Sequence, residues 1–124
     1  MQPYERFQAW RLAEELAVAV WEATRNWPRS EMFGLTSQAR RAAFSAPANI
    51  VEGSSRRGSR EFRHYLGISL ASLAELSYLL VFAKRIGLLP TSDWERLEAL
   101  RTSASKVTWL LYASLKRRLE KTSR

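Results

Sequence analysis

Apolar residues recur along the first part of the chain at intervals of three and four. Phe7, Trp10, Ala13, Leu16, Ala17, Val20, Trp21 and Thr24 would share one helical face, with Arg11, Glu14, Glu15 and Glu22 on the other. This spacing predicts a helix over about 5–27, ended by Pro28, which disfavours helical geometry in the residue before it. A second helix is predicted over about 31–55, with Ser30 as its N-cap. Its interior is made of small residues (Ala39, Ala42, Ala43, Ser45, Ala46 and Ala48), which let a neighbouring helix approach closely. Pro47 is expected to kink it, because it lacks a backbone donor and crowds the preceding turn.

A glycine- and serine-rich turn, 53–59, leads into a third helix over about 59–86. Between Tyr65 and Ala83 its only charge is Glu75. One apolar stripe is Phe62, Leu66, Leu73, Leu76 and Leu80; another is Ile68, Leu79, Phe82 and Ile86. A helix apolar on every side needs cover on every side, which three partner helices in a small bundle rarely give. The pattern therefore points to an interface between copies. Gly87 reads as the C-terminal cap, and Leu88-Leu89-Pro90 as the exit. Ser92 and Glu95 then match a capping box for a fourth helix over about 92–120, whose seam is Leu97, Leu100, Ala104, Val107, Leu111 and Leu115. No strand pattern is present. The expected fold is all-α: one domain over 1–124, an up-down-up-down antiparallel four-helix bundle.

Composition narrows the chemistry. At 124 residues, 46% hydrophobic and 26% charged, the chain can bury a core without disulfides or metals. It has no cysteine, which excludes disulfides, thiolate metal sites and thiol nucleophiles. His64 is the single histidine. Glu61 and His64 have the Glu-x-x-His spacing of di-metal bundles, but such sites need a second pair, so a solvated helix start is the expected reading. Glu75 in its apolar helix is expected to be tied to Arg40 or Arg41 rather than to act as an acid. The lone aspartate, Asp93, suits the first turn of the fourth helix through the helix dipole. No set of nucleophile, base and orienting group can be assembled, so no enzyme activity, no metal and no cofactor are expected. Tyr65–Ala83 is interrupted by Glu75 and serines 69, 72 and 77, and the N-terminus lacks a basic-then-apolar layout. A cytoplasmic protein with no membrane partner is expected.

Charge changes the picture most. Twenty Lys and Arg against twelve Asp and Glu leave +8 at pH 7, which favours acidic partners. Residues 1–30 are net neutral, whereas 91–124 carry +4. The sharpest candidate site is the turn Ser54-Ser55-Arg56-Arg57-Gly58-Ser59-Arg60, followed by Arg63 and His64. Hydroxyls and free backbone donors at a helix start suit phosphate oxygens, and Arg56, Arg57, Arg60 and Arg63 can add forked, charge-assisted bonds. Tyr65 could stack a base or join the core. Lys116, Arg117 and Arg118, with Lys121 and Arg124, form a second candidate patch, although the helix dipole favours cations there without any ligand.

Phe33-Gly34-Leu35-Thr36-Ser37-Gln38, Arg40-Arg41-Ala42, Asn49-Ile50-Val51-Glu52-Gly53, Arg57-Gly58-Ser59-Arg60-Glu61-Phe62 and Ser72-Leu73-Ala74-Glu75-Leu76 carry a resemblance over nearly the whole chain. The sequence resembles the bacterial four-helix-bundle proteins encoded by intervening sequences of large-subunit ribosomal RNA genes. Phe33, Val51 and Ala71 depart from the common tyrosine, alanine and glycine. The resemblance implies an antiparallel bundle assembled as a ring-like homopentamer, with no enzymatic activity attached. The family is also similar to accessory proteins of diversity-generating retroelements, basic barrels that bind nucleic acid and a reverse transcriptase. Asn49 and Glu52 belong to the family pattern, and their part there could be structural, near the Pro47 kink, or functional.

Together these readings lead to a non-enzymatic, basic, homo-oligomeric bundle that binds RNA or DNA backbone. The alternative is a protein-interaction scaffold with no direct nucleic-acid role, for instance an adaptor for a nucleic-acid-processing protein.

Overall fold

A computed structural model describes residues 1–122. Four helices account for most of them: α1 (Gln8–Ala23), α2 (Leu35–Ser54), α3 (Ser59–Arg85) and α4 (Thr91–Thr122). No strand occurs among the described residues.

The first helix is shorter than the expected 5–27. Pro3–Arg6 form a separate 3₁₀ turn, and Phe7 is extended between it and α1. At the other end the helix stops at Ala23, because Thr24 turns its hydroxyl back to Trp21 O (3.1 Å) and accepts the Arg40 Nε–H at 2.8 Å. Ala9, Ala13, Leu16 and Val20 form the buried stripe, with the glutamates outside.

The second helix also starts later than expected, at Leu35 rather than near 31. Ser30 is no N-cap: it sits inside a 3₁₀ turn, Arg29–Glu31, and the N-cap position belongs to Gly34. Met32 and Phe33 have no core to enter, Phe33 being 98% exposed, so extending the helix backwards would bury nothing. Inside α2 the helix continues through Pro47, which is buried with Ala39, Ala42, Ala43 and Ala46. Asn49 donates its side-chain N–H to Ser45 O (2.8 Å) and Ser45 Oγ (3.0 Å), satisfying polar groups in the turn before the proline. Near the end of α2, Gly53 lies so close to α3 that a Cβ there would stand 2.8 Å from Tyr65 Cβ and 2.9 Å from Phe62 Cδ1.

The third helix matches its expected bounds to within one residue. Leu66, Leu73, Leu76, Leu80 and Ala83 face inward, joined by Ser69 and Ser72. The serines are not stray polar groups. Ser69 donates to Ala46 O (2.9 Å), and Ser72 shares a 2.8 Å hydrogen bond with Ser45. Gly87, at φ +84°, closes the helix as expected: Leu88 N–H reaches Ala83 O and Gly87 N–H reaches Lys84 O, a Schellman motif. The fourth helix begins one residue before Ser92, and Trp94 N–H donates to Pro90 O at 2.9 Å. Ser92 is therefore inside the first turn rather than capping it.

Each helix packs on the next, and α4 returns to α1. Arg41 meets Glu75, Ser45 meets Ser72, and Gly53 meets Phe62. Likewise Ser77 meets Glu98 and Arg63 meets Tyr112. A single hydrophobic core draws on all four helices. By length and composition α3 could span a membrane, but its inner stripe belongs to this core. Its outer side stays uncovered: Tyr78 is 67% exposed, and Ile68, Val81, Phe82 and Ile86 are exposed with it.

Candidate nucleic-acid interface

The two basic clusters, far apart in the chain, meet at one end of the bundle. A groove of about 450 Å³ is lined by Arg6 from the N-terminal turn, Ser54 and Arg56 from the end of α2, Ser59 from the start of α3, and Ser114 and Arg118 from α4. Three arginines border this space, an arrangement suited to phosphate oxygens. The Ser54 and Ser114 hydroxyls already donate to Val51 O (2.9 Å) and Leu111 O (2.8 Å), which leaves Ser59 as the hydroxyl beside them. A shallower hollow of about 330 Å³ continues it along α4, between Arg117, Arg118 and Lys121.

A second groove, about 510 Å³, runs between the first half of α3 and α4. Arg60, Arg63 and His64 form its basic edge, and Tyr112 its aromatic wall. The Arg63 guanidinium lies 4.5 Å from the centre of the Tyr112 ring. Trp109 stacks on Tyr112 with ring centres 5.5 Å apart and 28° between planes.

The expected phosphate contacts are therefore not equivalent. Arg60 and Arg63 share the α3–α4 groove, while Arg56 and Arg118 share the other. Arg56 is partly committed: it bonds to Glu52 and donates to Tyr65 OH at 3.2 Å. The hydrogen bond to Glu52, then the neighbouring Tyr65 and Glu52 charges, hold its pKa above the ordinary arginine value, so it stays cationic. Arg57 is exposed in the turn and Lys116 on α4, and neither lines a groove described above. Arg124 lies outside the described residues. Tyr65 is half-buried, packed on Gly53 and beneath Arg56, so it is a structural ring here.

Sequence reasoning missed Arg6, Ser114, Trp109 and Tyr112. The only local signal for the rings is that residues three apart share a helical face; their meeting with Arg63 depends on the α3–α4 register. Glu75 is exposed and paired with Arg41 at 2.9 Å, one of its two expected partners. Among the described residues no group of three or more metal-ligating side chains gathers, and Glu61 and His64 recruit no further ligand.

Residues 5–109 match the family model described as 23S rRNA-intervening sequence protein. A crystal structure from Bacteroides thetaiotaomicron VPI-5482, of a protein with unknown function from the S23 ribosomal protein family, aligns with a TM-score of 0.74 at 23% identity. The alignment covers 87% of this chain and 98% of that one, a likeness of fold. No curated protein matches the chain.

Proposed function

Since the chain belongs to the family of 23S rRNA-intervening sequence proteins, we propose that it is a non-enzymatic, cytoplasmic bundle whose basic end binds RNA or DNA backbone with little sequence choice. The observation carrying this reading is the convergence of Arg6, Arg56 and Arg118 on one groove. Guanidinium groups match phosphate oxygens, and such contacts fix position without carrying sequence information.

The up-down-up-down course belongs to the same proposal. It is supported by contact partners whose numbers fall along α3 as they rise along α2: Arg41 with Glu75, Ser45 with Ser72, Gly53 with Phe62. Self-assembly is supported by two unlike apolar surfaces on one chain. One is the outer side of α3, around Tyr78 and Phe82; the other, on α1 and α2, holds Val18, Trp21 and Phe44, with Arg40 stacked 3.7 Å from the Trp21 ring centre. Unlike surfaces that meet head to tail build closed rings when the rotation closes. Five copies is the number that the family resemblance implies, and a ring would multiply weak phosphate contacts through effective concentration.

The test is fluorescence anisotropy of nuclease-treated protein against RNA and DNA duplex across salt. On duplex DNA, log K should fall by about 0.9 per neutralised phosphate for each unit of log salt. Arg6→Glu/Arg117→Glu, exposed positions on the groove and on the hollow that continues it, should weaken binding and flatten that slope. Unchanged binding by this variant overturns the surface. No binding by wild type at low salt favours the scaffold reading, in which the exposed aromatic surfaces dock a nucleic-acid-processing protein.

A further inference from the structure

The rings of the first groove, Phe7 and Phe62, are half-buried, whereas the α3–α4 groove has Tyr112 in its wall and the exposed Trp109 beside it. Trp109 is 54% exposed and rests on Tyr112, so one of its faces is backed and the other is open. Arg63 lies over the Tyr112 ring, so the open stacking surface belongs to Trp109. Gly67 and Ala71 on α3 leave room in the groove, and Ile68 adds an apolar contact for a flat ring.

The cations beside these rings are poised without a counter-ion. Arg25 pairs with Glu22, Arg41 with Glu75, Arg56 with Glu52 and Arg101 with Glu98, whereas no carboxylate among the described residues pairs with Arg60 or Arg63. Arg63 Nε is buried with no hydrogen-bond partner, so ring contact and packing hold this guanidinium in place before any anion arrives. Lys116 follows Tyr112 by four residues and shares its face of α4, which extends the line of positive charge.

We propose that this groove takes an unpaired nucleobase on Trp109 together with the adjoining phosphate on Arg60 and Arg63, so that the protein prefers single-stranded RNA or DNA to duplex. The inference rests on the reading of the basic end as a nucleic-acid surface. Duplex bases are already stacked on one another, so a π-face is available to Trp109 only from an unpaired base. An acidic peptide would satisfy the arginines but leave the aromatic shelf unused. A second copy of the chain would cover Trp109 without needing free arginines.

The experiment compares a short single-stranded oligonucleotide with the same strand made abasic throughout, which keeps every phosphate and removes every ring. Wild type should bind the base-bearing strand about tenfold more tightly than the abasic one, the size of one stacking contact. Trp109→Ala should lose that preference while keeping its affinity for the abasic strand, and Trp109→Phe should retain most of it. Equal binding of the two strands by wild type overturns this inference and leaves the backbone reading intact. Failure of both strands to bind overturns both. Light scattering on Trp109→Ala guards against the remaining possibility: a fall in assembled mass assigns this face to contact between copies and overturns the nucleobase site.

Discussion

The two halves of α3 bury the same kind of side chain and show solvent different chemistries. Inward, Leu66 in the first half continues into Leu73, Leu76, Leu80 and Ala83 in the second, all in one core. Outward, the first half presents Arg60 and His64 around Gly67, Ile68 and Ala71, whereas the second presents Tyr78, Val81 and Phe82 ahead of Arg85 at its end. The inner stripe is demanded by packing and would look alike whatever the protein did. The outer stripe is under no such demand, and its shift towards exposed aromatic rings suits the two partners proposed above, an anion at one end and a second copy at the other.

The strongest way to break this comparison is to attack what the halves share. Leu76 is fully buried on the common stripe, and Leu76→Ala should cost about 2–5 kcal/mol through lost transfer energy and an unfilled cavity. Urea unfolding measures the loss. Nucleic-acid binding and assembled mass should then fail together as temperature rises, since both depend on one helix; separate failure would mean that the halves melt independently.

A smaller effect should separate them. Gly53→Ala forces a Cβ against Tyr65 and Phe62 in the first half alone, costing about 1–3 kcal/mol by overpacking. The displaced side chains adjoin Arg56, which bonds to Tyr65 OH, so binding at the basic end should weaken while the assembled mass is kept. The converse variant, Tyr78→Glu/Phe82→Glu, should lower the mass and leave the salt slope per chain unchanged, because both side chains are exposed and distant in sequence from the arginines.

The inner stripe was legible in the sequence because helical periodicity reports burial directly, and the bounds of α3 follow from Gly58 and Gly87, both at positive φ. The junction of α1 and α2 was not. Trp27, Met32 and Phe33 continue an apolar pattern, yet the chain turns there and leaves Phe33 in solvent, a placement that periodicity cannot distinguish from helix. At the candidate site, the arginines near 56–63 stood out as a run, but their division between two grooves did not. That division depends on which residues of α4 face them across the bundle, a matter of register rather than composition. Arg6 is a lone arginine in the sequence and enters the site only because the N-terminal turn folds over the bundle end. Glu52 illustrates the reverse case. Its i,i+4 spacing to Arg56 is plain in the sequence, and the ion pair it forms makes Arg56 a less available phosphate ligand than its neighbours.

The smallest effect sits where the halves join. Arg41 and Glu75 are 59% and 42% exposed, so in a single chain their pairing should contribute only about 0.2–1 kcal/mol and fade with salt. A double-mutant cycle, Arg41→Ala against Glu75→Ala, measures it in the dissociated background of Tyr78→Glu/Phe82→Glu. Glu75 lies one turn before Tyr78 and two before Phe82 on α3, so a neighbouring copy that covers those rings and reaches Glu75 also removes water from the pair. In the assembled protein the same cycle should therefore give a larger coupling that resists salt, because a desolvated charge left without its partner is costly. Equal couplings in the two backgrounds would place Glu75 outside the contact and confine the apolar half of α3 to Tyr78 and beyond.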